Sequence, residues 1–171
     1  MSKVTLITGG ARSGKSAIAL RLAAPYARKY FIATAQAGDD EMAARIAHHR
    51  AARPAEFHTI EEPIDIADAI AKLRDKADVI VLDCLTLWIS NLMPIHTADE
   101  AILEQAQHLT DAAREMPPAI IVITDEVGAG VVPDNEMGRR FRDLLGWTNQ
   151  KFAQAADEVT LMVAGIPVKV K

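Results

Sequence analysis

Short apolar, β-branched runs alternate along the chain with longer stretches of helical period. Val4-Thr5-Leu6-Ile7-Thr8, Tyr30-Phe31-Ile32-Ala33-Thr34, Phe57–Ile60, Val79-Ile80-Val81-Leu82, Ile120-Ile121-Val122-Ile123-Thr124 and Val159–Val163 read as strands, with a hairpin partner at Val168–Val170. Helices are expected from Lys15 to about Arg28, from Asp39 to Arg53, and from about Ile64 to Lys76. Three more are expected over Thr86–Leu92, Ala98–Met116 and Asn135–Ala156, with Pro117-Pro118 stopping the second of these. Asp39 and Asp40 stand at a helix N-terminus, where carboxylates complement the macrodipole. Nearly continuous apolar strands separated by helices imply a parallel sheet covered on both faces. The expected fold is therefore a three-layer α/β sandwich around a mostly parallel central sheet. Ligands of such sheets sit beyond the carboxyl ends of the strands. That rule gathers 9–16, 34–36, Asp83 and 125–130 at one site.

Composition narrows what that site serves. The 171 residues are 50% apolar, enough for one core, and read as a single domain over 1–171. Nineteen Lys and Arg against 23 Asp and Glu give a net charge of −4, which argues against a nucleic-acid partner. Aromatics at 5% leave little for base stacking. Cys84 is the one cysteine, so no internal disulfide forms and a cysteine-built zinc site is not expected. Met-Ser-Lys runs straight into a strand pattern without a basic region and long apolar core. Apolar runs of about five residues fall far short of the roughly 18 that a membrane helix needs. A cytoplasmic protein without membrane insertion is expected.

Gly9-Gly10-Ala11-Arg12-Ser13-Gly14-Lys15-Ser16 matches G-x-x-x-x-G-K-[ST] between a strand and a helix. Glycines let consecutive backbone N–H groups curl around phosphate oxygens at a helix N-terminus. Lys15 reaches the β- and γ-phosphates and the Ser16 hydroxyl reaches Mg²⁺, which places a nucleoside triphosphate here. Asp83, ending an apolar strand, is the second candidate Mg²⁺ group, with helix capping as the alternative. The sandwich is thus expected to be P-loop NTPase-like.

Three further stretches remain. In 39–54, Ala44 and His48 share one helix face, while Glu41, Arg45 and His49 share another. An imidazole can serve as base, ligand or phosphorus nucleophile, yet a histidine pair on an exposed helix is more often solvated surface. Asp125-Glu126-Val127-Gly128-Ala129-Gly130 follows a strand and places carboxylates at the site edge, with glycines suited to close backbone approach or a moving loop, or else forms an acidic capping turn. Gly138-Arg139-Arg140-Phe141-Arg142-Asp143 is basic, and at least two of its arginines read as a solvated face.

The segments GGARSGKS (9–16), YFIATAQAGDDEMAARIAHHRAARP (30–54), VLDCLTLWISNL (81–92), DEVGAGVVP (125–133), GRRFRDLLGWTNQ (138–150) and ADEVTLMVAGIPVKVK (156–171) together resemble one family. It is the bifunctional adenosylcobinamide kinase/adenosylcobinamide-phosphate guanylyltransferase family of cobalamin biosynthesis. The resemblance spans nearly the whole chain. It implies a kinase step, in which ATP or GTP phosphorylates the aminopropanol hydroxyl of adenosylcobinamide. It also implies a transfer of GMP from GTP to that phosphate, giving adenosyl-GDP-cobinamide and pyrophosphate. A guanylyl–histidine intermediate is implied at His48. Ala33, Thr34, Ala35, His49, Arg50, Ala51, Ala52, Asp83 and Glu61 (in preference to Glu62) are implied to hold the guanine nucleotide. A homo-oligomer, expected to be a trimer, is implied as well, and a bulky corrinoid on so small a chain points to a site between subunits.

Asp125 stands where the family pattern leads us to expect Asn. It removes a donor and adds charge near phosphates, but it is expected to touch neither the phosphate loop nor His48. Net acidity also requires positive charge to be concentrated locally, around Arg12, Lys15 and 45–53. Two other readings compete: a simple small-molecule P-loop kinase with a surface His48, and a nucleotide-dependent switch without group transfer.

Overall fold

The computed structural model describes residues 3–171. Its elements in order are β1 (Val4–Gly9), α1 (Lys15–Ala23), β2 (Lys29–Ala33), α2 (Asp40–Ala51), β3 (Phe57–Glu61), α3 (Ile66–Ala71) and β4 (Val79–Asp83). They continue with α4 (Leu85–Leu92), α5 (Asp99–Glu115), β5 (Ala119–Ile123), α6 (Glu136–Ala155), β6 (Glu158–Val163) and β7 (Ile166–Lys169). The strands form one sheet in the order β3-β2-β4-β5-β1-β6-β7. Every pair is parallel except β6–β7, an antiparallel hairpin. The expected mostly parallel α/β architecture is the observed one.

Strand side chains divide by the two-residue period of the pleat. Leu6, Ile32, Ile80, Leu82, Ile120 and Val122 face a core that includes Ile70 of α3, Trp88 of α4, Leu109 of α5 and Phe152 of α6. Ile7, Phe31, Val79, Val81, Ile121 and Ile123 face the other side, against Ile18, Ala19 and Ala23 of α1. Each fully buried Val, Leu, Ile or Phe among them contributes about 1.5–3 kcal/mol. α2 has no fully buried residue, and only its Met42 and Ile46 are half-buried. The second face is consequently open beside α1, above the carboxyl ends of β2, β4 and β5.

Several predicted boundaries move, for local reasons. The first helix stops at Ala23 rather than near Arg28, because Pro25 cannot continue it; Ala24 N–H donates to Arg21 O and Tyr26 N–H to Ala23 O. α3 ends at Ala71, and 72–76 wind on through tighter bonds such as Leu73 N–H to Ile70 O and Lys76 N–H to Leu73 O. Asp39 lies just outside α2 as its cap, accepting from Met42 N–H at 2.7 Å. Asn135 caps α6 in the same way through Gly138 N–H. The last strand is Ile166–Lys169, two residues earlier than the expected start.

Candidate active site

The phosphate loop leaves β1 at Gly9, whose φ is +146°. A Cβ there would lie 2.6 Å from the Met162 carbonyl oxygen of the neighbouring strand β6, so glycine is required by space as well as conformation. Gly14, at φ +92°, turns the chain into α1. The β6–β7 turn braces the loop through Gly165 N–H donating to Ser13 O. The Ser13 hydroxyl is buried and has no hydrogen-bond partner among the described residues. A phosphate oxygen is the natural acceptor for such an orphaned donor.

Lys15 is buried, and its ammonium donates to Gly9 O at 3.1 Å and Gly10 O at 2.6 Å. Its third contact is Asp125 Oδ1, at 2.6 Å. The expectation that Asp125 leaves the phosphate loop untouched is therefore wrong. β5 lies directly beside β1, so its first carboxylate beyond the strand reaches across to the lysine.

Ser16 Oγ donates to Asp83 Oδ2 at 3.1 Å, joining the start of α1 to the end of β4. Burial pushes the Asp83 carboxyl up from its ordinary value, and the Ser16 hydrogen bond opposes that shift. A hydroxyl and a carboxylate are hard oxygen donors suited to Mg²⁺. Among the described residues no group of three or more His, Cys, Asp or Glu side chains could enclose a metal. A cation at Ser16 and Asp83 therefore fits only if phosphate and water complete its shell, as Mg²⁺ prefers.

Between α1, α2 and the sheet lies a cavity of about 470 Å³. Its lining includes Ala11, Arg12, Ser13, Gly14, Lys15 and Ser16 from the loop, together with Ala33, Ala35, Asp83 and Asp125 from the strand ends. From α2 and β3 come His49, Arg50 and Glu61. Arg50 pairs with Glu61 in an exposed ion pair, closing the side of the cavity. Glu62 instead accepts from Ile64 and Asp65 N–H ahead of α3, away from that wall.

Other expected residues lie elsewhere. Thr34 is fully buried and works beneath the site: its hydroxyl donates to Cys84 O at 2.8 Å and accepts from Cys84 N–H at 2.9 Å. Gly9 and Gly10 contribute carbonyls to Lys15 rather than cavity wall. His48, Ala51 and Ala52 are exposed and do not line the cavity. The rings of His48 and His49 stand edge-on with centroids 6.3 Å apart, and only His49 is in the wall. In the basic stretch of α6, Arg140 binds Asp99 at 2.6 Å and Arg142 binds Asp143 at 3.2 Å, so these arginines are spent on structure.

Arg53, expected only as part of the positive charge over 45–53, and Phe31, read only as a strand residue, both lie in the cavity wall. The Arg53 guanidinium lies 3.6 Å from the Phe31 ring centroid, and its Nη1 donates to Thr59 Oγ1 at 2.7 Å. Desolvation lowers its pKa. Met42, Arg45 and Ile46 complete the α2 side, at the i, i+3, i+4 spacing that puts them on one face with His49. That spacing was present in the sequence and is the signal that could have found them.

Comparison with known proteins bears on the family and the fold. The chain is 44% identical over 167 residues to the bifunctional adenosylcobalamin biosynthesis protein CobP of Pseudomonas aeruginosa, covering 97% of this chain and 96% of that protein. It is 40% identical to the bifunctional adenosylcobalamin biosynthesis protein CobU of Escherichia coli, covering 97% of this chain and 98% of the relative. The CobU of Salmonella typhimurium is 41% identical over the same shares. The crystal structure of the RadB recombinase superposes with a TM-score of 0.51 at 18% identity, over 93% of this chain and 73% of that one. That likeness speaks to the fold alone. Residues 5–170 match the family described as cobinamide kinase / cobinamide phosphate guanyltransferase, and the chain belongs to that family.

Proposed function

We propose that the protein phosphorylates adenosylcobinamide and then guanylylates the product, using one triphosphate cradle for both transfers. Family membership over nearly the whole chain supports this reading over a simple kinase. The observation that carries it is a complete phosphate loop opening onto a cavity walled by an imidazole, four arginines and a glutamate.

In the kinase step the aminopropanol hydroxyl oxygen attacks the γ-phosphorus, the bond to the β-bridging oxygen breaks, the nucleoside diphosphate leaves, and the hydroxyl proton passes to solvent. The Lys15 ammonium neutralises charge on the β- and γ-oxygens, and the loop N–H groups hold them in line. Mg²⁺ at Ser16 and Asp83 supplies Lewis-acid charge neutralisation to the phosphates when bound. In the second reaction an imidazole nitrogen attacks the α-phosphorus of GTP and pyrophosphate leaves. The phosphate of the cobinamide product then takes the GMP as the P–N bond breaks.

We assign the nucleophile to His48, with His49, Arg50 and Glu61 beside the guanine nucleotide. Because no residue of α2 is fully buried and only Met42 and Ile46 are half-buried, reorienting it to bring His48 inward costs little packing. The place of His49 in the wall favours a second reading, in which it is the nucleophile. GTP labelled at the α or the γ position separates these outcomes. Acid-labile, base-stable α-label should remain on the wild-type protein and on His49→Ala, and be lost from His48→Ala. Loss from His49→Ala alone would transfer the role, and absence of α-label from the wild type would leave only a kinase.

The protein is further taken to act as a homo-oligomer. Val131, Val132, Met137 and Ile166 are all more than half exposed, as a subunit contact would require. Sedimentation equilibrium tests this, and a monomer under assay conditions would contradict it. No helix among the described residues is long and apolar enough to cross a membrane.

A further inference from the structure

We infer that Asp125 is a latch on Lys15, which a triphosphate must displace before the lysine can read it. An ammonium has three N–H donors, and Lys15 has three acceptors around it: Gly9 O, Gly10 O and Asp125 Oδ1. The lysine is thus saturated by the protein itself. The two carbonyls belong to the loop and stay with it, whereas the carboxylate comes from β5 and is the partner that can leave. Its side chain keeps 28% of its exposure, against 9% for Lys15.

The rest of Asp125 is fixed. Its backbone N–H donates to Thr86 Oγ1 at 2.8 Å, and its carbonyl accepts from Asn149 Nδ2 at 3.1 Å. Asn149 is itself held by the Thr124 hydroxyl at 2.7 Å. α4 and α6 therefore clamp the backbone, and release of Lys15 needs only a side-chain rotation. A phosphate entering the loop places negative charge beside the carboxylate, which drives that rotation by like-charge repulsion.

The consequence is selectivity by phosphate number. GTP needs Lys15 free for its β- and γ-oxygens, while GMP carries no phosphate in that region and leaves the latch closed. Asp125 is thus a positioning residue that makes triphosphate binding compete with an internal ion pair. A partly buried pair of this kind corresponds to a severalfold to tenfold effect on affinity.

This inference rests on the phosphate-loop reading under Proposed function, and calorimetric titration of the full chain with GTP and GMP, each with Mg²⁺, separates the two. Asp125→Asn should bind GTP about five- to tenfold more tightly than the wild type, with GMP affinity unchanged. Asp125→Ala should move GTP in the same direction, which keeps the test valid if one variant folds poorly. GTP binding that is unchanged or weaker in both variants overturns the latch. So does equal tightening of GTP and GMP, which would report only a change in overall field. A wild type that binds no GTP overturns the phosphate-loop reading along with it.

Discussion

Arg53 stacks on Phe31 with its guanidinium carbon 3.6 Å from the ring centroid, and this contact anchors the chain just beyond α2 to the sheet. Its Nε is buried with no hydrogen-bond partner among the described residues. With no buried side chain of its own, α2 depends on this anchor and on the Arg50–Glu61 pair. A desolvated cation–π contact contributes about 1–2 kcal/mol. Arg53→Ala should therefore lower unfolding free energy by that amount in urea titration and weaken guanine nucleotide binding, while Arg53→Lys should recover only part of both.

Gly9→Ala tests the close approach of loop and sheet. The new Cβ would meet the Met162 carbonyl oxygen at 2.6 Å, in a backbone conformation that L-residues avoid. A loss on the order of 2 kcal/mol in stability is expected, with GTP affinity falling at the same time. Gly10→Ala, where an added Cβ meets nothing within 4 Å, should cost little stability by the same measurement.

Asp78 accepts from Arg28 Nη2 at 2.7 Å, Arg28 Nε at 3.0 Å and Arg28 N–H at 2.9 Å, which holds its carboxyl below the ordinary value of 3.8. A depressed folded pKa adds stability that is fully present above the unfolded value and is lost as pH falls through the folded one. The melting-temperature gap between wild type and Asp78→Asn should hold steady from neutral pH to about pH 5 and shrink below pH 3.8. A gap that widens on acidification would contradict the assignment.

Burial, followed by the nearby Asp83 charge, pushes the Cys84 thiol up to about 12. The thiolate is the reactive form, so the native protein should resist iodoacetamide at pH 8 and react after unfolding in urea. Mass spectrometry of the intact chain reads this directly.

The sheet was legible because its strands are near-continuous apolar runs, as in Ile120–Ile123, and each helix next to them carries periodic side chains. The phosphate loop was legible because eight neighbouring residues build it. Helix ends were less so where a single residue decides: Pro25 ends α1, yet the helix was expected to run through it to about Arg28. What the sequence could not display is contact across distance. Lys15 and Asp125 lie far apart in the chain and meet only because β5 inserts beside β1, an order fixed by tertiary packing. Which of His48 and His49 faces the cavity likewise depends on how α2 is rotated about its axis, and with no fully buried residue only Met42 and Ile46, on the face of His49, mark that rotation in the hydrophobic pattern.

Lys15→Ala should reduce both transfers together by about 100-fold or more, since each requires the triphosphate held by the same ammonium. Steady-state assays of phosphorylation and of pyrophosphate release check this. Loss of one activity alone would mean that the two reactions use separate phosphate sites.

The central claim is that one cradle performs two successive transfers. Mass analysis of corrinoid products after incubation with adenosylcobinamide, excess GTP and Mg²⁺ tests it most directly. The wild type should convert adenosylcobinamide to its phosphate and then to adenosyl-GDP-cobinamide, while His48→Ala should stop at the phosphate. Accumulation of the phosphate alone by the wild type, or no phosphorylated corrinoid at all, would contradict the account.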